Sequence, residues 1–199
     1  MSQPVRQAWT VQEFFVWQER QDERYELVGG FPLKLMAGAS NAHDRIVVNL
    51  LLAIGNKLRG SPCRPFTGDG SVETYPDQIR RLDVGVDCGR FDPAGYKASE
   101  PRVVAEVLSP STRDFDAFAK LAEYQAVGTM AHILLVEPNG AEVALWSRND
   151  AGAWIASRVE GLGGAVQLPA IGAVLAMSEI YDGIEFPARS PRLVSGEPG

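Results

Sequence analysis

The stretch "RVVAEVLSPSTRD", residues 102–114, begins like a buried strand and then places a carboxylate inside the apolar run. Three small apolar residues precede Glu106 directly. An ionised side chain in a protein interior needs a cation, a hydrogen-bond donor or a metal ion beside it, so this position predicts such a partner for Glu106. The Ser-Pro-Ser that follows ends the strand, and a helix is predicted over about 113–127.

The segments before this strand predict two helices and a hairpin. Thr10 and Glu13 form a capping box ahead of a short helix. In "RYELVGGFPLK", residues 24–34, the Gly-Gly pair predicts a tight turn that places Glu26 on a strand. Ser40 caps a long amphipathic helix that ends near 60 and carries His43 in its first turn.

Strand patterns dominate the middle and the end of the chain. Between 64 and 88 the pattern predicts short strands, the last of which puts Asp83, Gly85 and Asp87 on one face. Residues 131–138 predict a buried strand, and a β-meander follows it. The order predicts an α/β (α+β) fold with a mixed central sheet flanked by helices, in a single domain over 1–186 with a flexible tail at 187–199.

Composition narrows the function classes. A net charge of -6 and a pI near 5.0 argue against nucleic-acid binding through a broad basic surface, although a local basic patch remains compatible with them. Cys63 and Cys88 follow no metal-ligand spacing, which predicts two reduced thiols rather than a disulfide. The first ten residues lack a signal-peptide pattern and no apolar run reaches the length of a membrane span, so we expect a soluble, cytoplasmic protein with no membrane partner.

Asp83 and Glu106 are the acids whose position raises a chemical question. If their strands are neighbours, the two carboxylates converge, and a divalent cation such as Mg²⁺ would relieve their repulsion. Pairing with Arg80, Arg81 or Arg102 would explain them equally well. A polar stripe on the following helix, formed by Asp116, Lys120 and Tyr124, is compatible with the site and also with an ordinary solvated ion pair.

Six segments together resemble the Uma-two family, a mostly bacterial group similar to restriction endonucleases of the PD-(D/E)XK superfamily. They are "RYELVGG", "SNAHDRIVVNLL", "RRLDVGV", "VVAEVLSPSTRD", "KLAEY" and "AHILLVEP". The resemblance covers about residues 10–182. The most specific part is "EVLSPSTRD" followed by "KLAEY". The resemblance implies a restriction-endonuclease-like fold.

The resemblance also implies a set of site residues. Asp83 and Glu106 match the two principal metal ligands, with the backbone carbonyl of Val107 as a third ligand and Glu26 as an additional N-terminal acid. Leu82 stands where the superfamily usually has proline.

A second departure concerns the catalytic lysine. Leu108 occupies the position of the motif lysine, and Lys120 on the neighbouring helix is expected to take its place. His43 and Tyr124 match family positions without an assigned role, and we expect each to be structural or to support the metal ligands from behind.

The implied activity is that of an endonuclease that hydrolyses nucleic-acid phosphodiester bonds, with DNA as the expected substrate. Such enzymes depend on Mg²⁺ or Mn²⁺ and often act as homodimers. Arg80, Arg81, Arg102 and Arg113 are expected to gather at the mouth of the site. Two alternatives stay open: a catalytically silent relative that serves as a protein-interaction or dimerisation module, and a metal-dependent hydrolase of small phosphate esters.

Overall fold

The computed structural model describes residues 7–35, 39–109 and 116–186. Four α-helices occur in this part of the chain, α1 (Val11–Gln18), α2 (Asn41–Lys57), α3 (Asp116–Ala126) and α4 (Met177–Ile180), together with a short 3-10 helix (Pro169–Ile171). The strands are β1 (Tyr25–Val28), β2 (Phe31–Lys34), β3 (Arg64–Thr67), β4 (Val72–Tyr75), β5 (Gln78–Arg80), β6 (Val84–Asp87), β7 (Pro101–Val107), β8 (His132–Glu137), β9 (Glu142–Arg148), β10 (Trp154–Glu160), β11 (Ala165–Leu168) and β12 (Ala173–Ala176). None of the helices in the described ranges is both long and apolar enough to span a membrane.

The strands form two main sheets and one ribbon. The larger sheet has six strands in the order β10-β9-β8-β7-β6-β3, and its β7–β8 pair is parallel while the other pairs are antiparallel. The smaller sheet is antiparallel, in the order β2-β1-β5-β4, and β11 pairs with β12. This mixed sheet with flanking helices confirms the predicted fold class.

The two faces of the six-stranded sheet are covered by different helices. On β7, Val103 and Ala105 pack into the core that contains α2, whereas Val104 packs into the core that contains Leu121 and Tyr124 of α3. Successive strand residues point to opposite faces, so Glu106 shares the face of Val104. The side chain of Glu106 therefore lies on the face of the sheet that packs against α3.

Local sequence signals account for the elements around β1 and α2. The capping box of Thr10 and Glu13 is present, with the side chain of each accepting from the backbone amide of the other. Gly29 and Gly30 adopt positive φ angles of 55° and 79° at the β1–β2 turn, a conformation that favours glycine. These features confirm the predicted hairpin and place Glu26 on β1.

The prediction of two reduced thiols is wrong, because Cys63 and Cys88 form a disulfide. The strands β3 and β6 are antiparallel neighbours with Arg64 opposite Asp87, so the residues just outside this pair meet at the end of the two strands. The two cysteines are 25 residues apart in the chain, and their contact depends on the pairing of β3 with β6, so the local sequence does not indicate it. Such a bond is uncommon in a reducing compartment.

Two sequence expectations lie outside the described residues: the tail at 187–199 and the first residues of the helix predicted from about 113.

Candidate metal and carboxylate site

Asp83 and Glu106 lie side by side where β6 begins and β7 ends. Val84 is paired with Ala105, so the register places Asp83, the residue before β6, opposite Glu106. Side chains of directly opposed residues point to the same face, with Cβ atoms about 4.5–5.5 Å apart. The backbone amide of Val107 donates a hydrogen bond of 2.7 Å to Oδ2 of Asp83 and fixes this arrangement. The two acids therefore share one face, as a metal site would require.

The carboxyl group of Glu106 lies in a largely enclosed environment. Its side chain is 16% exposed, and the buried Tyr124 hydroxyl donates to its Oε1 at 2.6 Å. Burial raises the pKa of Glu106 to about 7, and the nearby Asp83 charge adds to this effect, while Lys120 and the Tyr124 hydrogen bond oppose it. Carboxyl groups whose pKa is raised by burial beside charged neighbours are enriched at functional sites.

Lys120 of α3 is the cation that faces both acids of β1 and β7. Its Nζ lies 3.3 Å from Oε1 of Glu26 and 3.8 Å from Oε1 of Glu106. Burial lowers the pKa of Lys120, but the carboxylates of Glu106 and Glu26 outweigh burial and leave the pKa above its ordinary value. Lys120 is thus a stable ammonium ion. It lies close to Glu26 and Glu106, where the sequence analysis expected it.

Arg80 of β5 forms ion pairs with two carboxylates, Glu26 of β1 and Glu123 of α3. Its Nε and Nη2 each donate to Glu123 of α3 at 2.6 Å, and its Nη1 donates to Oε2 of Glu26 at 2.9 Å. The backbone amide of Arg81 donates to Oε1 of Glu26 at 3.0 Å. Burial raises the pKa of Glu123, but the hydrogen bonds and charge of Arg80 hold that pKa below its usual value.

The first turn of α2 reaches the other side of the acid pair. Ser40 Oγ accepts a hydrogen bond from the backbone amide of His43, and Nε2 of His43 lies 3.3 Å from Oδ2 of Asp83. The hydrogen bond to Asp83 raises the pKa of His43, with burial acting against it.

The carboxylates of Asp83 and Glu106 are oxygen ligands of the kind that hard cations prefer. Within the described ranges, no hydrogen-bond donor reaches Oδ1 of Asp83 or Oε2 of Glu106. The same part of the chain contains no group of three His, Cys, Asp or Glu side chains arranged to hold a metal ion. Mg²⁺ is commonly bound by one or two carboxylates together with water, so this pair fits it.

Glu26 differs from the other two acids. Its Oε2 accepts from Arg80, and its Oε1 accepts from both the Arg81 amide and Lys120. Three of its acceptor positions are therefore filled by protein donors, and the side chain is 3% exposed, so Glu26 is less accessible to a metal ion than Asp83 and Glu106 are.

The expectation that four arginines gather at the site mouth is wrong for Arg80 and Arg102. Arg80 is buried in its ion pairs, because Glu26 and Glu123 compensate its charge there. Arg102 pairs with Glu100 near the start of β7, four residues and about 13 Å along the strand from Glu106. Arg81 lies near the site, but its side chain donates to the backbone carbonyls of Tyr25 and Asp69. Arg113 lies outside the described residues.

Sequence reasoning missed Glu123, and it expected a structural or supporting role for His43 and Tyr124 without identifying their partners. Glu123 lies three residues after Lys120 on α3, a spacing that puts both on neighbouring positions of one helix surface, and this was the available signal. The contacts of His43 with Asp83 and of Tyr124 with Glu106 join elements far apart in the chain. Nothing in the local sequence indicates them.

Comparisons with known proteins identify the family and the fold. Residues 11–178 match the model of the Uma2 (Uma-two) family, whose description is "Putative restriction endonuclease". A solved structure of a "putative nuclease" belonging to DUF820, from Anabaena variabilis, superposes with a TM-score of 0.68 at 16% identity and covers 86% of this chain and 97% of that one. This similarity establishes the fold.

Two curated relatives come from Synechocystis. The uncharacterized protein slr1290 is 32% identical over 180 residues, which cover 88% of this chain and 92% of the relative. The uncharacterized protein sll1609 is 28% identical over 136 residues, which cover 64% of this chain and 74% of the relative.

Proposed function

The chain belongs to the Uma2 family, and we propose that it is an endonuclease that hydrolyses nucleic-acid phosphodiester bonds, most simply those of DNA, with Mg²⁺ or Mn²⁺. The observation that carries the proposal is the placement of Asp83 and Glu106 on one face at adjoining strand ends, with the Lys120 amine 3.8 Å from Glu106. Family membership and fold support the nuclease class.

The protein groups have separate parts in this chemistry. Asp83 and Glu106, with the carbonyl of Val107, would hold the cation, which supplies a water of lowered pKa and polarises a phosphate oxygen. Lys120 remains charged because two carboxylates surround it, and it stabilises the negative charge that develops on the phosphate. Tyr124 holds Glu106 by its hydrogen bond, and His43 holds Asp83.

Glu26 takes a supporting part in the proposal. Its two oxygens are engaged by Arg80, the Arg81 amide and Lys120, so its main contribution is to fix the Lys120 amine beside Glu106. Lys120 thereby supplies the amine that Leu108 does not.

Cellular context follows from the substrate. The proposed nucleic-acid substrate favours a cytoplasmic location, whereas the Cys63–Cys88 disulfide is a bond that reducing compartments disfavour. Two copies of the chain would allow cleavage of both strands of a duplex. Sedimentation of the purified protein with and without duplex DNA measures whether a dimer forms.

The test compares the wild type with Glu106→Gln and with Glu160→Gln, a change of the same chemistry at an exposed position of β10. Calorimetric titration with Mg²⁺ and Mn²⁺ measures metal binding, and incubation with plasmid and single-stranded DNA measures cleavage. We expect binding and cleavage in the wild type and the control, and loss of both in Glu106→Gln. Absence of metal binding by the wild type at millimolar concentration would refute the proposal and favour the interaction-module alternative.

A further inference from the structure

We propose that Arg80 is a positioning residue of this site, which sets the places of the Lys120 amine and the Tyr124 hydroxyl relative to Glu106. The inference rests on the proposed phosphodiester hydrolysis and concerns how the reacting groups are held. Arg80 itself touches neither Asp83 nor Glu106 among the contacts of the described residues.

The guanidinium group of Arg80 links two carboxylates. Arg80 is 7% exposed, and three of its nitrogens donate to two carboxylates that come from different elements, β1 and α3. The planar fork of arginine satisfies two such partners at fixed angles, whereas a lysine ammonium acts as a point charge without this geometry. The arrangement therefore fixes the relative orientation of Glu26 and Glu123.

One route to the reacting groups passes through Glu26. Arg80 holds Oε2 of Glu26, while the Arg81 amide holds Oε1. The side chain of Glu26 is 3% exposed. With both oxygens fixed, Oε1 provides a rigid acceptor for the Lys120 amine 3.3 Å away. The amine then stands between Glu26 and Glu106.

The second route passes through the backbone of α3. Glu123 lies three residues after Lys120 and directly before Tyr124, so a clamp on Glu123 fixes the turn that carries both groups. Thr74 of β4 donates a further hydrogen bond of 3.3 Å to the same carboxylate. Arg80 and Thr74 thus tie α3 to the four-stranded sheet at the level of the site.

A purely structural ion pair would stabilise the fold without affecting the reaction of folded molecules. Arg80→Lys separates the two roles because it keeps the charge and loses the fork. The matched control is Arg64→Lys, which alters an arginine that donates to Asp87 at the other end of β6. Both variants are checked by thermal melting and assayed well below their melting temperatures, with kcat, KM and calorimetric metal affinity measured for each.

We expect Arg80→Lys to lower kcat by about 10- to 100-fold, the effect of misplacing a catalytic group by roughly 1 Å, while KM, metal affinity and the control change little. Glu123→Gln is the second variant. If Arg80 and Glu123 act as one unit, the double variant loses no more activity than the more impaired single variant. Wild-type kcat in folded Arg80→Lys, or losses that multiply independently, would overturn the inference.

A crystal structure of Arg80→Lys separates this inference from the proposed function. If the wild type cleaves no nucleic acid, the proposed function fails, and the position of the Lys120 amine decides the inference by itself. Displacement of that amine from Glu106 by more than about 1 Å in an otherwise unchanged fold supports positioning by Arg80. An unmoved amine contradicts it.

Discussion

The substitution Glu106→Gln is expected to change the pH dependence of stability of the metal-free protein. Burial raises the pKa of Glu106 from an ordinary value of 4.5 to about 7. The native state therefore holds the proton more tightly than the unfolded chain does, and stability falls as pH rises from about 4.5 to 7. At about 1.4 kcal/mol for each unit of pKa, this group removes about 2 to 3 kcal/mol of stability between pH 5 and pH 8.

Glutamine removes the titration and keeps an oxygen that can accept from the Tyr124 hydroxyl. Urea unfolding in the presence of a chelator, at pH 5 and pH 8, measures the effect. The wild type should lose stability between pH 5 and pH 8, whereas Glu106→Gln should not lose this contribution. The difference between the two proteins corresponds to about 5–10 °C in melting temperature. Glu160→Gln should follow the wild type, since its carboxylate is exposed. Parallel pH profiles for the wild type and Glu106→Gln would refute the assignment of a raised pKa to Glu106.

Three further changes have defined expectations. Arg80→Met leaves Glu123 without its cation and Glu26 with Lys120 alone, and it should destabilise the protein by about 3–5 kcal/mol, measured by urea unfolding. Gly85→Ala places a Cβ 2.3 Å from the Phe66 ring and should cost about 1–3 kcal/mol; an unchanged melting temperature would show that the ring moves freely. Reduction of the Cys63–Cys88 disulfide, which closes a 25-residue separation, should lower stability by about 3 kcal/mol, seen by comparing melts with and without dithiothreitol.

Much of the fold was predictable because its signals are local. The capping box at Thr10, the Gly-Gly turn after β1 and the apolar stripe of α2 each depend on residues a few positions apart, and each matches the structure. The division into two sheets was less accessible. It depends on β5 pairing with β1 across more than fifty residues, a contact that local periodicity does not report.

The site shows the same division between local and distant information. The placement of Asp83 and Glu106 on one face could be anticipated once neighbouring strands were assumed, because strand alternation fixes the direction of each side chain. The partners of Arg80 could not be anticipated from the sequence. Whether Arg80 contacts Glu26, Glu123 or solvent depends on how α3 packs between the two sheets. The disulfide escaped prediction for a similar reason.

The charge balance of the site leads to a test that would separate a working nuclease from a silent relative. The site holds four carboxylates around two permanent cations, namely Glu26, Asp83, Glu106 and Glu123 around Arg80 and Lys120. A scaffold gains nothing from a buried carboxyl whose ionisation lowers stability, whereas a bound divalent cation would supply the missing positive charge. Glu106→Gln should therefore have opposite effects in two assays, raising stability at pH 8 without metal and abolishing metal binding. A silent relative would show the stabilisation alone.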